Sequence, residues 1–527
     1  MKNHNKKKDM NNSKIRVVGI GALNLDLIAR YSERDTKVTK ILLDSAKEEL
    51  IASSHGEIMK RFYSAAPYRM VGVCAGGSAF NTVTAIKAID PSIEVHYIST
   101  IGTNEAADII KIDRNWERIH KEGGTDYIKE ENGESGMCVS LVLGPRLERA
   151  LMVYPGVNSK FDGKHINLDW LKTANWIHVS PFADEHCNIA VAKLLHEVKK
   201  EKKDSPFVSL DPGYILSKMH LENRLIQSLL ECVDYLMLKY DELVALLGEN
   251  ALYNEEVERS RIVKKIFEKY PNMKSIIVER GLDRYFVHHA DNEQPIPTWL
   301  PSSQNGEEII VVDDTGAGDV FDAAFIYGKL TKLSHKQTTW LVADVIRIHL
   351  RHLGTCGYDA FKWAAPTTFL CHSSIDKWLV ENIADELNNA NIGIWLDARE
   401  MGPGDIIEKE IKRGIRECDA LVVCASPDAM RSRWVHREIR WAKKQKQRYG
   451  LKTKVIVAVV REMDETIRKK LKDEKWIFID LTEDRVGGIQ RLVHRLREPL
   501  ESAEANCRCR LLTEVHTTRP RVDRYDR

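Results

Sequence analysis

The chain has 527 residues, and its 79 basic and 77 acidic side chains leave a formal net charge of +2. The length predicts two or three domains, and a hydrophobic content of 43% supports well-buried cores. Because the charges are balanced, the composition lacks the excess of basic residues that is typical of proteins that bind nucleic acid or anionic membranes. Residues 1–14 are polar and lysine-rich, and no run reaches the ~18 apolar residues of a membrane span. We therefore expect a disordered N-terminus and a cytoplasmic protein.

Strand-like and helical runs alternate from Ile15 to about Ala364, and this alternation predicts an α/β domain over residues 15–364. Helical periodicity marks Asn81–Ile89, Ala190–Lys200 and Glu256–Lys269. The predicted strands are short apolar runs, and they cover Ile15–Ile20, Val95–Ser99, Met137–Leu143, Trp176–Val179, Phe207–Leu210, Tyr235–Leu238 and Ser275–Val278.

Two glycine-containing segments near the start carry side chains suited to a polyol. Asn24 and Asp26 follow the first predicted strand and can hydrogen-bond paired hydroxyl groups. Gly76 and Gly77 permit close approach of a sugar to the backbone, and Asn81 follows them closely enough to contact it. Taken singly, the polar residues are also explained by turn chemistry or helix capping. Their joint spacing favours contact with a substrate.

The most informative stretch is Asp-Asp-Thr-Gly-Ala-Gly-Asp, which ends at Asp319. A predicted strand, Ile309–Val312, leads into it and a helix-forming run follows. At the start of that helix, Gly316, Ala317 and Gly318 would turn backbone N–H groups towards an anion. A carboxylate beside a phosphate is a poor ligand for it, but it suits a base that takes the proton of an attacking hydroxyl. The stretch therefore predicts a phosphoryl-transfer centre.

These motifs together resemble the ribokinase (PfkB) family of sugar and nucleoside kinases, over most of residues 15–364. The resemblance continues through Ser135-Gly136, Tyr154–Asn158 and Asp211–Gly213. It implies a ribokinase-like α/β domain with a lid, ATP and Mg²⁺ as cofactors, and Asp319 as the catalytic base. The substrate residues that it implies are Asn24, Asp26, Gly76, Gly77 and Asn81, and the anion hole that it implies is Gly316, Ala317 and Gly318.

Two motif positions depart from the family. Its Asn-x-x-Glu, tied to magnesium and phosphate, is Lys239-Tyr-Asp-Glu242 here, so Glu242 is the implied, indirect Mg²⁺ residue. Its Thr-x-Gly at the nucleotide site is Glu279-Arg280-Gly281. A glutamate near a triphosphate disfavours binding unless Lys239 or Arg280 offsets it. Two alternatives follow: an active kinase, or a domain that binds its ligand with little turnover.

The sequence leaves the kind of ligand open between a sugar, a nucleoside and a nucleotide. Phe62, Tyr63 and Tyr68 lie in a long insert where the family has its lid. Their rings would stack on a base, which favours a nucleoside, or they would form the core of the lid.

After Ala364-Ala365-Pro366 a second alternating set begins, and it predicts a flavodoxin-like, five-stranded parallel sheet within residues 367–498. The short join predicts that the two domains are held close. Residues 499–527 are polar and arginine-rich, so we expect a disordered tail. The predicted strands of this second set are Thr368–Cys371, Gly393–Leu396, Ala420–Cys424, Lys454–Val460 and Trp476–Ile479.

This second set resembles TIR domains. Thr368–Asp376 resembles their first box, Ile394–Asp397 with residues 398–405 resembles their second strand and BB loop, and Ser432–Ile439 resembles the helix with their catalytic glutamate. The resemblance implies cleavage of NAD⁺ by Glu438 and self-association through the TIR domain. The candidates for the NAD⁺ site are Phe369, His372, Ser373, Trp395, Asp397 and Trp434.

The physical argument for Glu438 rests on its helix. Trp434 and Glu438 stand at i and i+4 and share a face, which we expect to look onto the carboxyl edge of the sheet. There a carboxylate would stabilise the oxocarbenium-like centre that forms as nicotinamide leaves the ribose. The plain alternative makes Glu438 a solvated charge and Trp434 a core residue. Likewise His372, which closes a strand, has a structural alternative.

The combined expectation is a ribokinase-like domain that binds, and in one version phosphorylates, a small molecule and controls a TIR domain. The TIR domain would hydrolyse NAD⁺ to nicotinamide and linear or cyclic ADP-ribose, in a fusion that resembles bacterial anti-phage effectors. The rival is an active sugar or nucleoside kinase that uses ATP and Mg²⁺, with the TIR domain as a protein-interaction scaffold. The sequence does not identify the ligand, the trigger or the oligomeric state.

Overall fold

The fold is given by a computed structural model. The chain divides into two compact units between Ala364 and Ala365. No helix in the part of the chain that the structure describes is long and apolar enough to cross a membrane. The described residues are 14–31, 49–50, 54–64, 68–143, 148–200, 205–248, 255–280, 284–289, 292–295, 311–333, 335–364, 367–390, 392–396, 408, 411–412, 414–415, 418, 420–444, 454–473 and 476–497.

The first unit is a mixed α/β structure. Its strands are β1 (Arg16–Ile20), β2 (Asn24–Tyr31), β3 (Glu49–Leu50), β4 (Tyr68–Gly76), β5 (Glu94–Ile101), β6 (Ile128–Glu130), β7 (Gly136–Leu143), β8 (Glu148–Tyr154), β9 (Trp176–Val179), β10 (Phe207–Leu210), β11 (Tyr235–Lys239), β12 (Ser275–Arg280), β13 (Arg284–His289) and β14 (Asn292–Pro295). Its α-helices are α1 (His55–Ser64), α2 (Ser78–Ile89), α3 (Glu105–Lys111), α4 (Arg114–His120), α5 (Leu168–Leu171), α6 (Glu185–Lys199), α7 (Gly213–Ser217), α8 (Arg224–Leu230), α9 (Tyr240–Leu246), α10 (Glu255–Lys269), α11 (Ala317–Leu330) and α12 (His335–Leu350).

Within the described residues, nine strands form the large sheet in the order β14-β13-β12-β11-β10-β9-β1-β5-β6. Neighbouring strands are parallel, except that β13 runs antiparallel to β12 and to β14. The central strands read as nearly continuous apolar runs, and all four residues of β9 are buried. Such runs are typical of parallel strands that are covered on both faces. Most of the polar candidate residues therefore lie at or beyond the ends of these strands.

A second, five-stranded sheet in the described residues forms the lid, in the order β3-β8-β7-β2-β4. The chain leaves the large sheet at Ile20, the end of β1, and enters the lid sheet at Asn24, the start of β2. In the lid, Asn24 lies opposite Gly76 of β4 and Gly136 of β7. The polar residues of the first predicted motif thus stand where the two sheets meet.

Two helices pack against each other in the centre of the first unit. In α2, all residues from Ala79 to Ile89 are buried, and in α11 all residues from Val320 to Gly328 are buried. Helices that are apolar on all sides belong in a core. Their N-termini carry Gly77 and Gly316, so burial of the helices fixes both glycine turns.

The second unit contains, in its described residues, one all-parallel five-stranded sheet in the order β16-β15-β17-β18-β19. Helices cover it, and buried clusters lie on both of its faces. The strands are β15 (Thr367–Cys371), β16 (Gly393–Trp395), β17 (Ala420–Ala425), β18 (Lys454–Val459) and β19 (Ile477–Asp480), and the α-helices are α13 (Lys377–Asn389), α14 (Pro427–Arg431), α15 (Arg433–Lys444), α16 (Glu465–Asp473) and α17 (Arg485–Arg497).

The structure corrects the expectation for the segment before the glycine turn. A strand over Ile309–Val312 was expected, but Val311 and Val312 lie in no strand, and residues 309–310 lie outside the described ranges. Instead the N–H of Val312 donates to the carbonyl of Leu350 at the end of α12, at 2.7 Å. That helix end, rather than a sheet, supports the turn. The side chains of Phe62, Tyr63 and Tyr68 lie outside what the structure describes.

Candidate functional sites

Asn24 is buried and Asp26 is half-buried at the junction of the two sheets. The Oδ1 of Asn24 accepts a hydrogen bond from Nδ2 of Asn158 at 3.0 Å, and Oδ1 of Asn158 accepts one from the N–H of Leu23 at 3.2 Å. The Oδ1 of Asp26 is buried and has no hydrogen-bond partner among the described residues. Burial, followed by the negative charges of Asp319 and Asp113, raises the pKa of Asp26 well above its usual range. Such an oxygen is able to accept a hydrogen bond from a ligand hydroxyl.

The two glycines at the end of β4 are required by this junction. A Cβ on Gly76 would overlap the carboxylate of Asp26, and a Cβ on Gly77 would overlap the carbonyl of Ala22. Gly77 also has a φ of 117°, which side chains rarely adopt. Glycine therefore lets β4 pack against β2 with the Asp26 carboxylate in the space that a side chain at position 76 would fill.

The predicted base is joined to the predicted substrate residues by a direct hydrogen bond. Asp319 lies in the first turn of α11, and its Oδ2 accepts a hydrogen bond from Nδ2 of Asn81 at 2.8 Å. The Oδ1 of Asn81 is buried without a hydrogen-bond partner in the described part of the chain. The structure thus brings Asn24, Asp26 and Asn81 to the same region as Asp319.

The glycine turn at the start of α11 has the conformation that its sequence predicts. Gly316 is left-handed, with a φ of 84°, and caps the helix. The Ala317 N–H donates to the carbonyl of Asp314 at 3.1 Å, so this member of the expected anion hole faces a backbone oxygen. His349, fully buried, donates from Nε2 to the carbonyl of Thr315 at 2.8 Å and braces the turn from behind.

A cavity of about 120 Å³ opens beside this junction. Asn24, Gly77, Ser78, Asn158 and Asp211 are among the residues that line it. The carboxylate of Asp211 accepts hydrogen bonds from the Ser78 hydroxyl at 3.3 Å and from the N–H of Gly213 at 2.9 Å. Burial, then the charges of Glu242 and Asp319, raise the pKa of Asp211 well above normal. The small volume and these polar groups suit a small hydroxylated molecule.

The residues at the expected nucleotide end form a group of acids with one lysine. Lys239 ends β11, and its N–H donates to Oε2 of Glu242 at 2.8 Å, so Glu242 caps α9. Burial raises the pKa of Glu279 to about 7; Lys239 opposes this rise, whereas Glu242 and Asp319 add to it. No group of three or more His, Cys, Asp or Glu in the described ranges is arranged to hold a metal ion. Gly281 lies outside those ranges. The Glu279 carboxylate stands where the family resemblance places a triphosphate, and its charge does not fit that group.

Sequence reasoning missed a buried polar pair behind Asp319. Asp322 is 1% exposed, and its pKa is raised by burial and then by Asp211 and Glu279. Its Oδ2 lies 3.8 Å from Nε2 of His178, whose pKa burial lowers to about 3. The Asp322 position lies three residues after Asp319 and reads from sequence as an ordinary helix position.

In the second unit, the structure separates the two residues expected to share a face of α15. Glu438 is 7% exposed, and Val435, Ile439 and Ala442 complete the buried face. Trp434 is 42% exposed, with the Arg437 guanidinium 4.8 Å from its ring centroid. The plain alternative of a solvated Glu438 and a core Trp434 is the reverse of what is observed. The burial of an acid on an otherwise apolar helix face indicates a specific role for Glu438.

The remaining NAD⁺-site candidates lie near the ends of β15 and β16. The rings of Phe369 and Trp395 are stacked, with centroids 4.5 Å apart, and Nε1 of Trp395 is buried without a partner in the described part of the unit. Nδ1 of His372 donates to the carbonyl of Leu370 at 3.1 Å, and Ser373 caps the short 3₁₀ helix Ser374–Asp376. Asp397 and the expected BB loop, residues 398–405, lie outside the described residues.

An ion pair between a buried acid and a partly exposed arginine, which the sequence did not reveal, connects the segments that follow three strands of this sheet. Asp376 is fully buried and accepts hydrogen bonds from Oγ of Ser426 and from Nη1 of Arg461. Arg461 also binds Asp428 at 2.9 Å. Ser426 caps α14 through the N–H of Ala429. The pair therefore fixes the segment that leads into α15 and Glu438.

Comparison with protein families places both units. Residues 66–343, more than half of the chain, match the model for pfkB family carbohydrate kinases, and residues 368–493 match a model for TIR domains. Among curated proteins, an uncharacterized sugar kinase of Archaeoglobus fulgidus is 26% identical over 238 residues, which are 45% of this chain and 84% of that protein. The probable chloroplastic fructokinase-6 of Arabidopsis thaliana is 24% identical over 323 residues, 58% of this chain and 75% of that protein.

Solved structures share the fold of the first unit. The adenosine kinase from Sinorhizobium meliloti superposes with a TM-score of 0.50 at 17% identity, over 65% of this chain and 96% of that one. Anopheles gambiae adenosine kinase, solved with P1,P4-di(adenosine-5) tetraphosphate, gives a TM-score of 0.51 at 20% identity, over 65% and 97%. At these identities the similarity shows the ribokinase-like fold alone.

Proposed function

This chain belongs to the pfkB family of carbohydrate kinases and carries a C-terminal TIR domain, and from that premise we propose that it is a ligand-controlled NAD⁺ hydrolase. The first domain binds a small polyhydroxylated molecule, a sugar, nucleoside or nucleotide. Binding controls the TIR domain, which cleaves NAD⁺ into nicotinamide and ADP-ribose or a cyclic form of it. Such an activity suits anti-phage defence, because depletion of NAD⁺ stops metabolism in an infected cell.

The observation that carries the binding half of the proposal is the Asp26 carboxylate. It is buried, its Oδ1 has no hydrogen-bond partner among the described residues, and it lies near Asp319. An unpartnered buried acid costs stability, so a fold retains it where a ligand completes its hydrogen bonds. Asn24 and Asn81 supply further polar groups at the same junction. A polyol with adjacent hydroxyls is the ligand that matches these groups best.

The cleavage half rests on Glu438. Its carboxylate is buried on a helix that otherwise presents apolar residues to the sheet. In the proposed reaction the carboxylate holds the ribose hydroxyls next to the nicotinamide and stabilises the positive charge that develops on the sugar. Nicotinamide leaves as a neutral ring, so the reaction needs no strong general acid. Water then attacks the sugar to give ADP-ribose.

Purified full-length protein incubated with NAD⁺ tests this proposal. Nicotinamide release is followed by chromatography, alone and with a panel of sugars and nucleosides. We expect slow release that rises with one member of the panel, and loss of release in Glu438→Gln. The exposed acid Glu465 on α16 provides the matched control, because Glu465→Gln removes a charge from the same unit without touching the buried helix face. Absence of nicotinamide under every condition would refute the hydrolase.

A second candidate function is an active sugar or nucleoside kinase with a TIR scaffold. The hydrogen bond from Asn81 to Asp319 favours it, because it fixes a carboxylate in the first turn of α11 beside the substrate residues, where a base for a ligand hydroxyl is needed. The acids at the nucleotide end disfavour it. Transfer of radiolabelled phosphate from ATP to members of the same panel distinguishes the two candidates.

A further inference from the structure

The two departures from the kinase motifs are partners across neighbouring strands. Lys239 ends β11 and Glu279 lies near the end of β12, and these strands are parallel. In the register of this pair, Lys239 stands directly opposite Glu279. The positive charge of Lys239 acts on the Glu279 carboxyl and favours its ionised form. Two unusual residues of opposite charge therefore form one unit at the carboxyl edge of the large sheet.

The Glu279 carboxylate lies beside the N-terminus of α11. A Cβ built on Gly318 would lie 3.9 Å from Oε2 and 4.0 Å from Oε1 of Glu279, at van der Waals distance from both oxygens. The first turn of a helix attracts negative charge because its N–H groups lack intrahelical partners. A protein carboxylate here lies where an anionic ligand of this turn would lie.

The surroundings of Glu279 add negative charge. The negative charges of Glu242 on α9 and Asp319 on α11 raise the pKa of the Glu279 carboxyl, whereas the positive charge of Lys239 on β11 lowers it. The charge of Glu279 in turn raises the pKa of Asp211, which follows β10, and the pKa of Asp322 on α11. The guanidinium of the neighbouring Arg280 lies over the ring of Tyr240, 5.9 Å from its centroid. A triphosphate entering this end would meet several carboxylates and one lysine.

We propose that the Lys239–Glu279 pair occupies the place beside the N-terminus of α11 where the phosphates of a nucleotide would bind. The first domain therefore selects an uncharged polyol or nucleoside and rejects nucleoside triphosphates. The inference rests on the proposed function, since it describes the ligand of the same domain. Glu279 supplies the anion at the helix N-terminus, and Lys239 balances its charge. The first domain then binds its ligand in the absence of a phosphate donor.

The test is binding of MgATP to the full-length protein by isothermal titration calorimetry at pH 8. For the native chain we expect no binding at millimolar MgATP. Glu279→Gln keeps the shape and removes the charge, so we expect affinity to rise at least tenfold. Glu268→Gln, on the exposed face of α10, removes a charge of the same kind and leaves binding unchanged. Glu279→Thr, which also removes the charge, serves if the glutamine variant does not fold.

The pH dependence gives a second, independent readout. Burial raises the pKa of Glu279 to about 7, so protonation on going from pH 8 to pH 6 removes its charge. Affinity of the native chain for MgATP should therefore rise as the pH falls, whereas the affinity of Glu279→Gln should change much less. The other charged groups around Glu279 are present in both proteins, so the difference between the two pH profiles reports on Glu279; these groups are Glu242, Asp319, Asp211, Asp322 and the balancing Lys239.

Two results would overturn the inference: micromolar binding of MgATP by the native chain, or no gain of affinity in either Glu279 variant. Failure of the proposed function looks different. It appears as nicotinamide release that ignores every neutral ligand, or as no release at all, and it is measured without ATP. Rejection of MgATP can fail while control by a neutral ligand survives, and the reverse also holds.

Discussion

Replacement of Asp26 by asparagine should make the protein more stable and less responsive. The Asp26 carboxylate is buried, and its Oδ1 has no hydrogen-bond partner among the described residues. The amide keeps the shape and removes the charge that burial and Asp319 disfavour. A charged group that is buried without its hydrogen bonds costs about 1–3 kcal/mol or more, and the amide removes the part of that cost that comes from the charge. We therefore expect Asp26→Asn to raise the free energy of unfolding by about 1–3 kcal/mol at pH 8.

The sign of the pH dependence follows from the raised pKa. The folded-state pKa of Asp26 lies above the unfolded value of about 3.9. The native protein is therefore least penalised below about pH 4, where the carboxyl is protonated in both states, and it loses stability as the pH rises through the folded-state pKa. The asparagine variant lacks this loss. The difference between the two should be small below about pH 4 and should grow as the pH rises above that value.

Differential scanning calorimetry of the full-length protein measures this difference. For a unit of about 350 residues, 1 kcal/mol corresponds to roughly 1.5 °C, so we expect a rise of about 2–4 °C at pH 8. Asp169→Asn, at an exposed acid on α5, is the control and should change little. A variant that is less stable than the native chain, or a gain that does not depend on pH, would refute the reasoning. The same variant should respond less to a neutral ligand.

Four further substitutions probe the two sites. Glu438→Gln should lower nicotinamide release by about two to three orders of magnitude, as loss of a group that stabilises transition-state charge does, with the melting temperature nearly unchanged. Asp319→Asn should abolish any phosphate transfer to a ligand hydroxyl, because an amide does not take its proton, while calorimetry shows ligand binding retained or tightened. Gly77→Ala should lower the unfolding free energy by about 3 kcal/mol or more, measured by urea denaturation, because its Cβ would overlap the Ala22 carbonyl at a φ of 117°. Gly404→Pro, in the expected BB loop outside the described residues, should reduce nicotinamide release and leave ligand binding by the first domain unchanged.

The sequence was informative where the physical constraint is local. The strands β9 and β10 match their predicted bounds because parallel strands in the middle of a covered sheet have nearly continuous apolar sequences. The turn at Gly316 was likewise predictable, since glycines before a helix-forming run favour a tight turn, and the structure shows that Gly316 is left-handed there. The family resemblance, carried by the motifs, gave the ribokinase-like and TIR folds that the comparisons confirm.

The rest depended on contacts between distant segments. Strand β2 was not predicted: the sequence placed Asn24 and Asp26 after the first strand, whereas pairing with β4 and β7 puts both residues in the lid sheet. The buried Asp376 is paired with Arg461, 85 positions further along the chain, and no local pattern predicts that pairing. The strand register that places Lys239 opposite Glu279 could not be predicted from the sequence for the same reason.

The central claim is that a ligand in the first domain sets the rate of NAD⁺ cleavage by the second, and one measurement tests it most directly. Nicotinamide release by the full-length protein is recorded with and without each neutral sugar or nucleoside, for the native chain and for a variant with Asn24 and Asp26 both replaced by alanine. We predict low release without ligand, a rise of at least tenfold with one ligand, a size typical of allosteric coupling, and loss of that rise in the variant with its basal release intact. Equal release with and without every ligand, or an identical rise in the native chain and the variant, would contradict the account.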